Sequence, residues 1–191
     1  MPEKLIRTFI AIDTPETVTK VALSLQSSVK VNPKAVRWVR KENIHITLRY
    51  IGPTAPGEVE KINRLLSEIV GQNSDLSLNV SGTGCFPKKE RPRILWLGVD
   101  GDVAELKLLV EMINSEMDQL GYPQEERNYS PHITIGRIRY PQKVTPDVTD
   151  FLSAQYEPIS WNIPKIILYQ SELLPSGAIY SILGTHNLNP R

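Results

Sequence analysis

One cysteine, three histidines and no long apolar run describe what this chain of 191 residues goes without. The lone Cys85 can neither close an internal disulfide nor build a cysteine metal site, so a reducing, cytoplasmic setting is the expectation. The apolar stretch 5–12 is stopped by Asp13, too short for a signal peptide or a membrane span. An excess of one charge is missing too: 22 Lys and Arg face 21 Asp and Glu, for a formal net charge of +1. A protein that coats long nucleic acid carries a clearly basic surface; gripping one end of such a chain needs only a few local cations. Nothing here demands more than a monomer. The 40% hydrophobic content suffices for a core without staples.

What is present is a repeat. NIHITLRYIG at 43–52 returns as SPHITIGRIR at 130–139, placing two of the three histidines, His45 and His132, in one tetrapeptide context 87 residues apart. The same offset carries FIAID (9–13) onto WLGVD (96–100), and Arg40 onto Arg127. An amphipathic helix follows each of those strands: Val18, Val21, Ala22, Leu25 and Val29 in the first, running to about 31, and Val103, Leu106, Val110, Ile113 and Met117 in the second. Asp13-Thr14-Pro15 reads as the capped start of the first, and Asn32-Pro33 as its stop. A further helix over 58–70 and a short one over 147–154 fill the remaining gaps, with strands over 74–85, 162–170 and 178–184. An internal duplication of a β-α-β-α-β unit accounts for this pattern. The chain then reads as a single bilobal domain built from two repeats, about 5–86 and 93–172, with a closing strand at about 178–184. A rough twofold would set the two HxT strands against each other across a shared groove.

On a strand His45 and Thr47 share one face, roughly 7 Å apart, while Ile46 and Leu48 turn to the core. His132 and Thr134 repeat the arrangement. Two imidazoles that titrate near neutrality suit a reaction needing a base and an acid at once. Two hydroxyls suit the non-bridging oxygens of a phosphate between them, and in-line displacement at phosphorus needs groups on opposite sides. The pattern favours phosphodiester cleavage without a metal. A histidine-pair metal site finds no HExxH and no carboxylate in either tetrapeptide to support it. A single strand histidine is ordinarily structural; two in matched contexts are not. His186 has no partner pattern and reads as a surface residue, and Cys85 as an inert thiol. Arg137, five residues after His132, falls on the opposite face of a regular strand and reaches the phosphate only through a twist or bulge. The loop FPKKERPR (86–93) carries four cations and one acid and would attract a nucleic-acid backbone if it bordered the groove. Trp38, Tyr50, Phe86 and Tyr129 are candidates for stacking a base.

HITL and HITI, with RTFIAID, RPRILWLGV, YSPHITIGRIR and LYQSELLPSGAIYSIL around them, resemble the two-histidine phosphoesterase superfamily, in its RNA 2′,3′-cyclic phosphodiesterase branch, historically the 2′-5′ RNA ligase family. The resemblance spans nearly the whole chain. It implies an α+β, bilobal fold with two antiparallel sheets facing a central cleft. It also implies cofactor-free hydrolysis of a terminal 2′,3′-cyclic phosphate to a 2′-phosphate, with RNA ends or oligonucleotides as partners and, in some members, the reverse 2′-5′ joining. By position His45 matches the family's proton donor, His132 its proton acceptor, Thr47 and Thr134 the phosphate-holding hydroxyls, and Arg137 an arginine that usually follows the second motif. Tyr50 and Gly136 depart from the commoner phenylalanine and alanine, which bears on preference around the base. Two alternatives stay open: a cyclic phosphodiesterase on a small nucleotide, such as an ADP-ribose cyclic phosphate or 2′-5′ oligoadenylate, and a non-catalytic RNA-end binding module.

Overall fold

The computed structural model describes residues 4–29, 35–124, 128–141, 145–175 and 177–191. Asn32-Pro33 and Arg127 therefore lie outside the described residues. In chain order the elements are β1 (Ile6–Asp13), α1 (Glu16–Ser28), β2 (Val36–Trp38), β3 (His45–Thr54), α2 (Val59–Val70), β4 (Leu76–Phe86), β5 (Ile94–Gly101), α3 (Val103–Gln119), β6 (His132–Ile138), α4 (Thr149–Leu152), β7 (Ile159–Ile163), β8 (Lys165–Leu174) and β9 (Gly177–Asn187).

The strands run β7-β4-β5-β6-β3-β1-β8-β9, with β2 added beside β6. All strand pairings are antiparallel. At the centre β3 and β6 touch through one registered pair, Ile46 and Ile133, so two antiparallel sheets meet at that seam. Around it the order is symmetric, β4-β5-β6 mirrored by β8-β1-β3. The third strand of each unit crosses over: β4 pairs with β5 and β8 with β1. Each lobe thus draws strands from both halves of the chain, and neither half buries its own sheet alone.

Apolar faces explain which side the helices cover. In α2, Ile62, Leu66 and Ile69 recur at helical spacing and are buried, and in α3 Leu106, Leu109, Val110, Ile113 and Met117 do the same. They join Ile10, Ile12, Ile46, Leu48, Ile133 and Ile135 from the strands in one core cluster. Phe9, Ala11, Ile167 and Tyr169 form a second, smaller cluster. Phe9 and Tyr169 stack with centroids 5.3 Å apart.

Several local expectations give way for identifiable reasons. The start of α1 has no side-chain cap: Thr14 Oγ1 donates to the Ile44 carbonyl instead (2.9 Å), and Asp13 is the last residue of β1. α1 stops at Ser28, with Val29 extended. The single strand read over 162–170 is two, because Pro164, lacking an amide hydrogen, stands where the chain leaves β4's edge and crosses to β1. β9 runs on to Asn187, carrying His186 inside. That histidine is 5% exposed, not a surface residue. Its Nδ1 lies 2.9 Å from Ser67 Oγ and its Nε2 3.0 Å from Asn63 Oδ1, so it pins β9 to α2. A Cβ at Gly184 would collide with Asn63, which explains the glycine in that contact.

Candidate active site

His45 opens β3 and His132 opens β6, one residue before the pair that joins the two sheets. The two imidazoles are held alike. His45 Nδ1 lies 2.8 Å from the Asn43 carbonyl, and His132 Nδ1 lies 2.9 Å from the Ser130 carbonyl, each two residues back. A carbonyl only accepts, so Nδ1 carries the hydrogen in both and Nε2 is left for chemistry. His45 Nε2 also meets Thr47 Oγ1 at 3.0 Å. Aromatic rings wall both: Phe9 and Tyr180 lie 5.2 and 5.5 Å from His45, Phe86 and Trp96 5.1 and 6.4 Å from His132.

The fourth residue of each motif is a bulge. Along β3, Arg49 pairs with Ile10 and Thr47 with Ala11, leaving Leu48 unmatched. Along β6, Gly136 pairs with Leu95 and Thr134 with Trp96, leaving Ile135 unmatched. An extra residue flips the parity of everything after it. Hence both strands bury two residues in succession, Leu48-Arg49 and Ile135-Gly136, before exposing Tyr50 and Arg137. The bulge that a cleft-facing Arg137 requires is therefore present, and its mirror image delivers Tyr50.

Three differences break the symmetry. On β1 the residue opposite His45 is Asp13, whereas on β5 the residue opposite His132 is Gly98. The pairings thus align Asp13 with Gly98 rather than with Asp100, two residues off the FIAID–WLGVD match. Asp100 runs past the site and accepts a hydrogen bond from Ser81 (2.7 Å), while Asp13 accepts one from the Tyr169 hydroxyl (2.5 Å). Next, Arg49 is buried and donates to the Tyr122 and Pro123 carbonyls (2.9 and 2.6 Å), but its counterpart is Gly136. A Cβ there would come 2.7 Å from the Trp38 ring, so glycine lets β2 lie against β6. Last, a cleft of about 840 Å³ opens on the His45 side, lined by His45, Thr47 and Arg137 together with Phe9, Trp38, Tyr50 and Tyr180. His132 and Thr134 are not among its lining residues.

Burial lowers the pKa of both histidines from the ordinary value, against the carbonyl bonds that raise it. The Arg137 charge lowers both as well. Asp13 raises only His45, which also feels the charge of His132. The two imidazoles therefore share an electrostatic neighbourhood, with one carboxylate on one side.

The other sequence candidates separate. Trp38 and Tyr50 line the cleft, Phe86 stands against His132, and Tyr129 packs on the core. None of residues 88–93 lines the cleft; Arg93 and Arg91 lie over the Tyr140 ring at 4.2 and 5.8 Å instead. The sequence reading missed Asp13, Tyr180 and Tyr169. Asp13 was visible only as a cap, and the tyrosines only as ordinary strand residues. Among the described residues no three His, Cys, Asp or Glu gather as a metal site, and no helix is long and apolar enough to cross a membrane.

A family model described as the 2′-5′ RNA ligase superfamily matches residues 23–173. A Thermotoga maritima protein named RNA 2′,3′-cyclic phosphodiesterase is 35% identical over 179 residues, covering 93% of each chain. Among solved structures, a Thermus thermophilus protein superposes with a TM-score of 0.80 at 22% identity, covering 97% of this chain and 100% of the other. Escherichia coli LigT complexed with 3′-AMP gives 0.76 at 23% identity, with 97% and 99% covered. At those identities the structures speak for the fold.

Proposed function

Since the chain belongs to the 2′-5′ RNA ligase superfamily, we propose that it hydrolyses the 2′,3′-cyclic phosphate at RNA ends to a 2′-phosphate, by paired histidine acid–base catalysis without a metal. The enzyme class is that of its named relatives, a hydrolase of phosphodiester bonds. One observation carries the mechanism: both histidines spend Nδ1 on the carbonyl two residues back and keep Nε2 for the reaction.

In the proposed step, His132 Nε2 takes a proton from water as its oxygen attacks phosphorus. The bond from phosphorus to the 3′-oxygen breaks, and His45 Nε2–H supplies the proton that oxygen needs. His45 Nε2 rests on Thr47 Oγ1 at 3.0 Å; once its hydrogen turns to the 3′-oxygen, the Thr47 hydroxyl is released to donate to a non-bridging oxygen. Thr134 offers a second hydroxyl to the phosphoryl oxygens from β6. Arg137, brought into the cleft by the Ile135 bulge, balances the charge that builds on the phosphoryl oxygens. The direction of proton flow, His45 as acid and His132 as base, rests on the position each motif holds in the family.

The test is an RNA oligomer ending in a 2′,3′-cyclic phosphate, incubated with the protein in excess EDTA. The expected product is the 2′-phosphomonoester at an undiminished rate. A 3′-phosphate would overturn the assignment of His45 to the 3′-oxygen. Loss of turnover in EDTA, restored by a divalent cation, would overturn the metal-free reading.

A further inference from the structure

Arg37 on β2 lies in register directly opposite Arg137 on β6. Like charges directly across a strand pair repel and cost stability. Neither arginine forms an ion pair among the described residues, and both are exposed. Arg7, Arg40 and Arg139 line the same cleft, and among the described residues no Asp or Glu lines it. In a chain whose net charge is only +1, the described lining gathers cations at one hollow, with Arg37 and Arg137 face to face, and the hollow has room beyond one phosphate. At about 840 Å³ it stands near the upper end of small-ligand sites.

The cleft also has a direction. Its lining extends from His45 and Thr47 to β2, the end of β8 and the start of β9, and does not include His132. The Arg40 guanidinium reaches the start of β9: a Cβ on Gly177 would lie 3.4 Å from its Cζ. Glycine there adopts φ +128°, a backbone conformation that residues with a side chain rarely adopt. β2 itself sits against β6 because Gly136 has no side chain.

We propose that Arg37 and Arg40 form a seat for a second phosphoryl group, the one on the 5′-oxygen of the nucleotide whose cyclic phosphate reacts. This rests on the proposed hydrolysis of a 2′,3′-cyclic phosphate. In such a nucleotide the 2′- and 3′-oxygens are already occupied, so the rest of the substrate attaches through the 5′-oxygen. Arg137 then stands between two anions, and the bound negative charge offsets the repulsion between the opposed arginines. The specificity is for an end with a phosphorylated 5′ side over a bare nucleoside cyclic phosphate.

Three substrates separate the possibilities: a nucleoside 2′,3′-cyclic phosphate with a free 5′-hydroxyl, the same with a 5′-phosphate, and a dinucleotide with a 2′,3′-cyclic end. The native protein is expected to favour the second or third over the first at least tenfold in kcat/KM, through KM. Preference for the dinucleotide alone assigns the seat to an RNA phosphodiester; preference for both assigns it to any 5′-phosphoryl group. Arg37→Ala should remove most of that preference and reduce the salt slope of log(kcat/KM) on the dinucleotide by about 0.7. Arg37→Lys should keep part of it. A structural arginine would lower the Tm when removed, whereas Arg37→Ala should leave it unchanged or raise it. Equal kcat/KM on all three substrates in the native protein overturns the seat and leaves the hydrolysis standing. No turnover of any of them overturns the hydrolysis itself.

Discussion

The HITL and HITI halves of the site are the same device in two settings. In each, a histidine opens a strand and ties Nδ1 to the carbonyl two residues back. The bulge at the fourth motif residue re-aims the fifth residue after each histidine into the open. The settings differ in what lies alongside. β1 stands two residues out of step with β5, bringing a carboxylate to His45 and a glycine to His132. The duplication proposed from the sequence would account for two imidazoles held alike. Their inequality, which the proposed acid–base pair needs, comes from strand register and so is invisible within the motif.

The hardest blow to the comparison is to remove either imidazole. His45→Ala and His132→Ala should each lower kcat on a cyclic-phosphate RNA by about 10²–10⁴-fold, with little change in Tm. The double variant should lose little more than either single one, because the pair acts as a unit. A single variant with native turnover breaks the idea that the halves work together.

A smaller effect follows at the position where the halves diverge most. Gly136→Ala puts a Cβ 2.7 Å from the Trp38 ring, and overpacking of that kind costs about 1–3 kcal/mol. A chain of this size loses roughly 2–4 °C of Tm for each kcal/mol. Because Trp38 and Arg37 ride on β2, activity on RNA should fall with it. An unchanged Tm in thermal unfolding would show that β2 yields freely and that glycine is not needed there.

Much of this was legible in the chain. His45, Thr47, His132 and Thr134 were marked by a repeat whose period-2 alternation survives as far as the bulge, and the helices by apolar spacing that the core confirms at Ile62, Leu66, Ile113 and Met117. What was hidden depends on contacts distant in sequence. Asp13 read as a helix cap because its neighbours are Thr14 and Pro15; its β3 partner is 32 residues away. The strand over 162–170 was read straight through Pro164 because nothing local says that the chain changes partners there. His186 looked solitary because Ser67 and Asn63 come more than a hundred residues earlier. Arg137 could be placed only conditionally, since a bulge is a fact about two strands.

The gentlest test is also the one that reads the polarity of the pair. Asp13→Asn keeps an acceptor for the Tyr169 hydroxyl but removes the charge that favours protonated His45. The His45 pKa, already lowered by burial, Arg137 and His132, should fall further, while His132 feels no such loss. If His45 is the acid, it must be protonated to work, so the alkaline limb of the kcat/KM profile moves to lower pH and the acid limb stays. Arg137→Gln is the control of opposite sign: it relieves both histidines and should move both limbs to higher pH. Were the acid limb to move down in Asp13→Asn with the alkaline limb fixed, His45 would be the base, and the roles of the two halves would have to be exchanged.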